Sequence, residues 1–461
     1  MSLTSSNSAT GSERPELTDQ RTRRADHVRR TYVIMSALDY FADMTLAVTS
    51  VLLLQSLGMS SGAVFSTIAA VWILEGVSEI PTGVIADMIG RRASVVISFA
   101  LRAVGYSALF FSDSVSVAVA GTLLGALGGT FASGALEAWA VDEYPDDAPG
   151  GLDRLFSHSK LAENGGLVLG VLGGAALGML DLSLPQLAAG VVCLVGVPAG
   201  LLLLTGAGQP SRPPGPPAPA GDPAAPPREP LPAAEARQAP GEAAKGLSAA
   251  AVNTVAGIRT AVRGDRVLLA LMVTVGVLWL CRGVPGIQWT VVFEDQADGN
   301  LLILGAMRCA SSLLEIPALW WALRLQARRA DARRLILLIA TVLGAVALAA
   351  AALIPTPAAA MTGYVIFFVA FGLCMPGVRA AVNERIDGRH RATVLSVASL
   401  FNSVFTGLGL VAIGLAGAGL ASIRFLWPLA AGVFCAAGLT VALLASRDRV
   451  TTPATQRMPP C

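Results

Sequence analysis

Long apolar runs of nearly equal length set the strongest constraint on this chain. Residues 33–54, 335–353 and 425–444 each approach or exceed the roughly 20 residues that carry a helix across a bilayer. Such runs recur along the whole chain, separated by short charged breaks. Inside hydrocarbon every backbone N–H and C=O must be satisfied within the segment, which makes each run a helix. The composition agrees: 54% hydrophobic residues, 14% charged residues and a mean hydropathy of +0.63 over 461 residues are too apolar for a soluble multi-domain protein.

Hydropathy and the polar breaks place helices near 31–55, 61–85, 94–111, 116–141, 161–180, 186–205, 266–292, 300–323, 335–354, 359–382, 392–417 and 425–445. The expected fold is an all-α integral membrane protein with twelve transmembrane helices in two pseudo-symmetric six-helix bundles. Residues 1–30 are expected as a cytoplasmic tail, 31–205 as the first bundle and 206–264 as a linker. Residues 265–446 form the second bundle and 447–461 a second cytoplasmic tail. The polar start, MSLTSSNSATGSERPELTDQRTRR, has no apolar core of a signal peptide, so the first span is expected to direct insertion.

Charge gives the orientation. Alternate breaks carry Arg91 and Arg92; Arg154 and Lys160; Arg259, Arg263 and Arg266; Arg324, Arg328, Arg329, Arg333 and Arg334; and Arg385, Arg389 and Arg391. The opposite breaks carry Asp113, Asp181, Glu294, Asp295 and Asp298, with a single Arg424. This asymmetry predicts a cell-membrane protein with both termini in the cytoplasm. The stretch 209–246, rich in Pro and Ala, lacks the means to build a core and reads as an extended tether. Residues 247–264 read as a short amphipathic helix leading into the seventh span. The six cysteines show no metal-ligand spacing and the three histidines lie in polar segments, so neither a metal nor another cofactor is expected.

The two halves repeat one another. Glu79-Ile80-Pro81 near the end of the second span matches Glu315-Ile316-Pro317 near the end of the eighth, and AVDE at 140–143 matches AVNE at 381–384. Two similar bundles suit a rocking transporter, because a central site between them opens to either side by rigid motion.

The stretch GVIADMIGRR at 83–92 resembles the loop signature of the major facilitator superfamily: Gly, three residues, Asp, a basic residue, one residue, Gly and two basic residues. Gly83, Asp87, Gly90, Arg91 and Arg92 fit, and Met88 departs from the basic position. The resemblance implies a conformational latch. In it Asp87 faces the start of the eleventh span at 390–396, and Arg91 or Arg92 meets Asp142 or Glu143 at the end of the fourth. It also implies that the first, fourth, seventh and tenth spans line a central cavity.

Ionisable residues at membrane depth are costly and mark candidate sites. Asp39 and Asp43 in the first span share a helical face, and two adjacent carboxylates in low dielectric do not both ionise easily, which is the chemistry of proton coupling. Glu75 and Glu137 join them as proton-coupling candidates. Glu75 and Arg102 lie at similar depth and are expected to pair; Glu79, Arg308 and Glu315 complete the intramembrane ion-pair set. Arg282 and Arg308 bind an anionic substrate or neutralise Glu315 and the first-span acids. Tyr40, Trp139, Arg282, Gln288, Trp289 and Arg379 are the expected lining of a mostly apolar substrate cavity, and Pro285 with Gly286 is expected to unwind the seventh span locally.

The leading expectation is proton-coupled efflux of amphipathic, drug-like molecules by alternating access. The alternative within transporters is a proton symporter importing a small polar or anionic solute; outside them it is a membrane sensor or scaffold. No HExxH or GxxxxGK[ST] occurs and no histidine falls in an expected span, which argues against an intramembrane enzyme and against nucleotide-driven pumping. The expected partners are a small-molecule substrate, protons and the lipid bilayer, with no nucleic acid, for a chain acting as a monomer.

Overall fold

The structure, a computed structural model, describes residues 13–145, 151–205, 266–329, 331–354, 356–383, 391–416 and 420–447. The tether at 209–246 and the amphipathic segment at 247–264 lie outside the described residues. The helices are α1 (Glu13–Thr45), α2 (Ser50–Ser56), α3 (Ser61–Ile89), α4 (Arg91–Phe110), α5 (Val115–Ala132), α6 (Ala135–Glu143), α7 (Gly151–Gly178) and α8 (Leu184–Leu203). After the tether come α9 (Arg266–Glu294), α10 (Leu301–Arg328), α11 (Ala332–Leu353), α12 (Pro357–Asn383), α13 (Arg391–Ala416) and α14 (Leu420–Arg447). Twelve spans, with α1–α2 and α5–α6 each counted as one, are long and apolar enough to cross a membrane.

Three elements differ from the sequence expectation. The first helix begins at Glu13, well before position 31; the stretch 13–30 holds six arginines, good helix formers, and its one proline, Pro15, falls in the first turn, where a missing N–H costs little. The first span then breaks at 46–49, where i→i+3 bonds such as Thr49 N to Leu46 O (3.2 Å) tighten the turn. Thr45 and Ser50 donate their hydroxyls back to Phe41 O and Leu46 O, both at 2.7 Å, and compete with the regular ladder. The fourth span breaks between α5 and α6, where Gly134 takes a φ of +74° that other residues rarely adopt. By contrast, α9 runs unbroken through Pro285 and is not unwound there. The ring removes one ladder donor without ending the helix.

Helices α1 to α8 pack mainly on one another, α1 against α7 and α8 and α4 against α5 and α8. Helices α9 to α14 do the same, with α9 on α13 and α14 and α11 on α12 and α14. Small residues set the closest approaches, because helices in lipid associate through packing rather than through the hydrophobic effect. Gly166, Gly170 and Gly174, four residues apart on α7, press on the backbone of Ala37, Phe41 and Thr45 of α1. The two sets meet along α3–α13 and α7–α10, with a smaller contact of α2 on α9. The first seam is lined by Gly62 against Gly414 and Gly76 against Ser403. In the second, Gly305 lies against Ala175, and Leu301 N donates to Met179 Sδ at 3.2 Å. The α7–α10 contact thus sits at the end of the bundle opposite Arg91, Arg92 and Arg328, which is called here the basic end.

Candidate functional site: two cavities of opposite charge

A cavity of about 590 Å³ lies between α7, α9, α10 and α12. Its cationic lining is Lys160 from α7, Arg282 from α9, Arg308 from α10 and Arg379 from α12; the single carboxylate is Glu315 of α10. Ser311 and Ser312 add hydroxyls, and Trp279, Phe368 and Phe371 form an aromatic wall. Where the sequence suggested a mostly apolar cavity, the lining thus mixes aromatic surface with five charged side chains.

The arginines are held without acids among the described residues. The Arg282 guanidinium sits 5.1 Å from the Trp279 ring centroid, 5.2 Å from that of Phe368 and 5.6 Å from that of Phe371. Cation–π attraction fixes the group while leaving its N–H edges unspent. Arg308 Nη1 donates to Ser312 Oγ at 2.7 Å, one helical turn away, and more weakly to Ser311 Oγ at 3.4 Å. Glu315 has room because Gly372 faces it: an added Cβ there would collide with the carboxylate. Lys160 Nζ donates to Glu163 Oε2 at 2.9 Å and lies 5.5 Å over the Tyr40 ring. The arrangement presents several positive groups and hydroxyl donors around one volume, which suits an anion.

A second cavity of about 300 Å³ opens beside α1, α3 and α4, and its charges are reversed. Asp39 and Asp43 of α1 and Glu75 and Glu79 of α3 line it around Arg102 of α4. The Arg102 side chain is 1% exposed and forms ion pairs through Nη1 with Asp39 and through Nη2 with Asp43. Its Nη2 also reaches the Asp39 carbonyl oxygen at 3.3 Å, its Nε donates to Tyr106 Oη at 3.3 Å, and Tyr106 Oη donates to Asp43 Oδ1 at 2.9 Å. Gly128 on α5 admits the arginine stem, since an added Cβ would lie 2.8 Å from Arg102 Cγ.

The expected Glu75–Arg102 pair is corrected by this geometry. Equal depth left the direction around the helix open, and the guanidinium turns to the first-span aspartates. Glu75 stays in the cavity with no ion pair among the described residues. Glu79 accepts a hydrogen bond from Ser399 Oγ of α13 at 2.9 Å, across the seam between the two sets of helices.

Several expected cavity residues lie elsewhere. Trp139 is buried in the core of the first set. Gln288, 1% exposed, accepts from Trp427 Nε1 at 2.8 Å, and Trp289 packs near the Tyr364 ring at 5.9 Å. Tyr40 stands under Lys160 beside the cavity. Glu137 is exposed and lines a separate cavity of about 420 Å³ with Tyr32, Phe156, Lys160 and Glu163. Arg308 and Glu315 share the large cavity without forming an ion pair among the described residues.

Sequence reasoning missed Lys160 and Glu163, because 151–160 reads as a polar break. A usable signal was present: Lys160 and Lys245 are the only lysines in the chain, and Lys160 stands three residues before a glutamate. At the basic end Arg91 forms an ion pair with Asp142 and donates to Ala138 O, Arg92 donates to Leu201 O, and Glu143 pairs with Arg24 at 2.6 Å. Gly90 links α3 to α4 with φ +93°. Gly83 and Asp87 are exposed, and the side chains at 391–397, where the partner of Asp87 is expected, lie outside the described residues.

Twelve membrane-crossing helices around charged internal cavities define a multi-pass membrane carrier. The family model of the major facilitator superfamily matches residues 32–410, and the chain belongs to that superfamily of secondary transporters. Among solved structures it resembles the peptide transporter POT in complex with sulfate, at 16% identity, TM-score 0.69, and coverage of 91% of this chain and 94% of that one. It also resembles the nucleoside transporter NupG, at 12% identity, TM-score 0.66, and coverage of 91% and 99%. A POT family transporter in complex with 5-aminolevulinic acid matches at 14% identity, TM-score 0.64, and coverage of 93% and 96%. These likenesses establish the fold. No curated protein sequence matches significantly.

Proposed function

We propose that this transporter moves a small organic anion together with protons by alternating access. The observation that carries the reading is the lining of the large cavity, where Lys160, Arg282, Arg308 and Arg379 face a single carboxylate, Glu315. A cationic drug would meet repulsion there, so the alternative of a small anionic solute displaces drug-like efflux as the leading reading. The aromatic wall of Trp279, Phe368 and Phe371 suits an apolar part on that anion. The names of the similar structures, peptide and nucleoside transporters, fit a small solute.

Coupling falls to the acidic cavity. Four carboxylates line it around one arginine; Asp39 and Asp43 are neutralised in part by Arg102 and Glu79 is held by Ser399, so Glu75 is the group on which a proton removes an uncompensated charge. Anion and proton moving together add no net charge to the membrane interior, whereas exchanging them leaves each half-cycle charged. Co-transport follows. In this reading the two sets of helices are the rocking units, the basic end is cytoplasmic, and the protein acts as a monomer in the cell membrane. Arg91, Asp142 and Asp87 restrain the basic end.

Binding of matched solutes tests the proposal. A carboxylate, its amide and an amine of the same skeleton are titrated into purified protein by calorimetry. The carboxylate is expected to bind and Arg282→Gln with Arg308→Gln to abolish binding; equal binding of the amide would overturn the reading.

A further inference from the structure

The outer face of α10 carries a pattern that transport does not use. Leu313, Ile316, Trp320, Arg324 and Arg328 follow one another at steps of three or four residues and form one stripe. That stripe is centred on the side of the helix roughly opposite Arg308 and Glu315, which line the cavity, and Ile316, one turn from Ser312, forms its edge toward the cavity. Leu313, Ile316 and Trp320 are 45%, 50% and 53% exposed, although α10 is embedded in the bundle. The Arg324 guanidinium lies 3.2 Å from the Trp320 ring centroid. Neither Arg324 nor Arg328 has an ion pair among the described residues.

We infer that this stripe binds an anionic phospholipid, with an acyl chain along Leu313 and Ile316, the glycerol level at Trp320, and the phosphate on Arg324 and Arg328. Fifteen residues of helix rise about 22 Å, close to the thickness of one leaflet with its headgroups. Trp320 stands where aromatic rings favour the interface. Stacking on Trp320 occupies one face of Arg324 and leaves its N–H edge directed at oxygens, the geometry that suits a phosphate. A net negative headgroup is required because the choline or ethanolamine ammonium of a neutral lipid would be repelled by the paired guanidinia.

Topology alone accounts for arginines at this end of the bundle but not for their register with Trp320 and the apolar stripe. The repeat-related end of α3 shares Glu-Ile-Pro yet continues with Asp87, Met88 and Ile89 and has no tryptophan. A lipid here would press on the back of the helix whose inner face holds Arg308 and Glu315, so its occupancy would bear on the cavity.

Native mass spectrometry of the full-length protein, released from micelles containing equal phosphatidylglycerol and phosphatidylcholine, reads the selectivity. The wild type is expected to retain phosphatidylglycerol preferentially. Arg324→Gln with Arg328→Gln should reduce that preference about tenfold while thiol labelling shows unchanged orientation. Trp320→Leu, which keeps both charges, should weaken retention several-fold and serves if the double variant does not fold. Equal retention of both lipids by the wild type, or an unchanged preference in the variants, would overturn the inference. Displacement of the lipid by glycerol phosphate alone would also overturn it, since the site would then take free phosphate.

Discussion

Replacing Arg102 by Gln isolates the electrostatics of the acidic cavity. The substitution removes the shared partner of Asp39 and Asp43 and leaves two carboxylates facing each other and Glu75. Breaking a buried pair by removing one partner costs about 3–5 kcal/mol, chiefly through the charge left behind. The Asp39 and Asp43 side chains are 25% and 47% exposed, so water screens part of that charge, and the lower end of the range is expected. A loss of about 3 kcal/mol is about a hundredfold in the folding equilibrium. If charge is the cause, adding Asp39→Asn and Asp43→Asn should recover about 2 kcal/mol, because the neutral amides still accept and donate hydrogen bonds. Equilibrium unfolding in mixed micelles, followed by circular dichroism, measures both steps. A triple variant no more stable than Arg102→Gln alone would refute the charge argument and leave Arg102 as a packing residue.

Other substitutions separate packing, binding and gating. Gly174→Leu should destabilise by about 3 kcal/mol because its side chain meets the Thr45 backbone, whereas Gly173→Leu, with open space, should change stability by less than ~0.5 kcal/mol; thermal unfolding compares them. Arg282→Gln alone should weaken anion binding by about ten- to a hundredfold through loss of a charge-assisted contact, measured by calorimetry. Ser399→Ala removes the hydrogen bond to Glu79 across the seam and should lengthen spin-label distances between α3 and α13 at the basic end. Unchanged distance distributions would assign that bond no gating role.

The membrane-crossing elements were legible because their length is set by bilayer thickness, a property that survives in one dimension. The four-residue spacing of Gly166, Gly170 and Gly174 fixes one helix face, and the structure packs that face on the first helix. The ion pair of Arg91 with Asp142 is one of the contacts that the loop signature implied between Arg91 or Arg92 and Asp142 or Glu143. Rotation about the helix axis was not legible. Glu75 and Arg102 share a depth, but the glycine-lined path past Gly128 turns the arginine to Asp39 and Asp43. Gln288 and Trp289 were rightly placed on the seventh span and wrongly aimed, since partners on α14 and α12 hold them away from the cavity. Lys160 was lost because a polar start to a span and a loop look alike until the helix is seen to begin at Gly151.

Uptake into proteoliposomes tests the coupling of anion to proton most directly. A labelled small organic anion found to bind the protein is presented outside at acid pH, with neutral buffer within and the membrane potential clamped. The account predicts accumulation above the equilibrium level, abolished by collapsing the pH gradient and by Glu75→Gln, while the variant retains downhill anion exchange. Accumulation that persists without a pH gradient, or a Glu75→Gln variant that still concentrates the anion with the wild-type pH dependence, would contradict it.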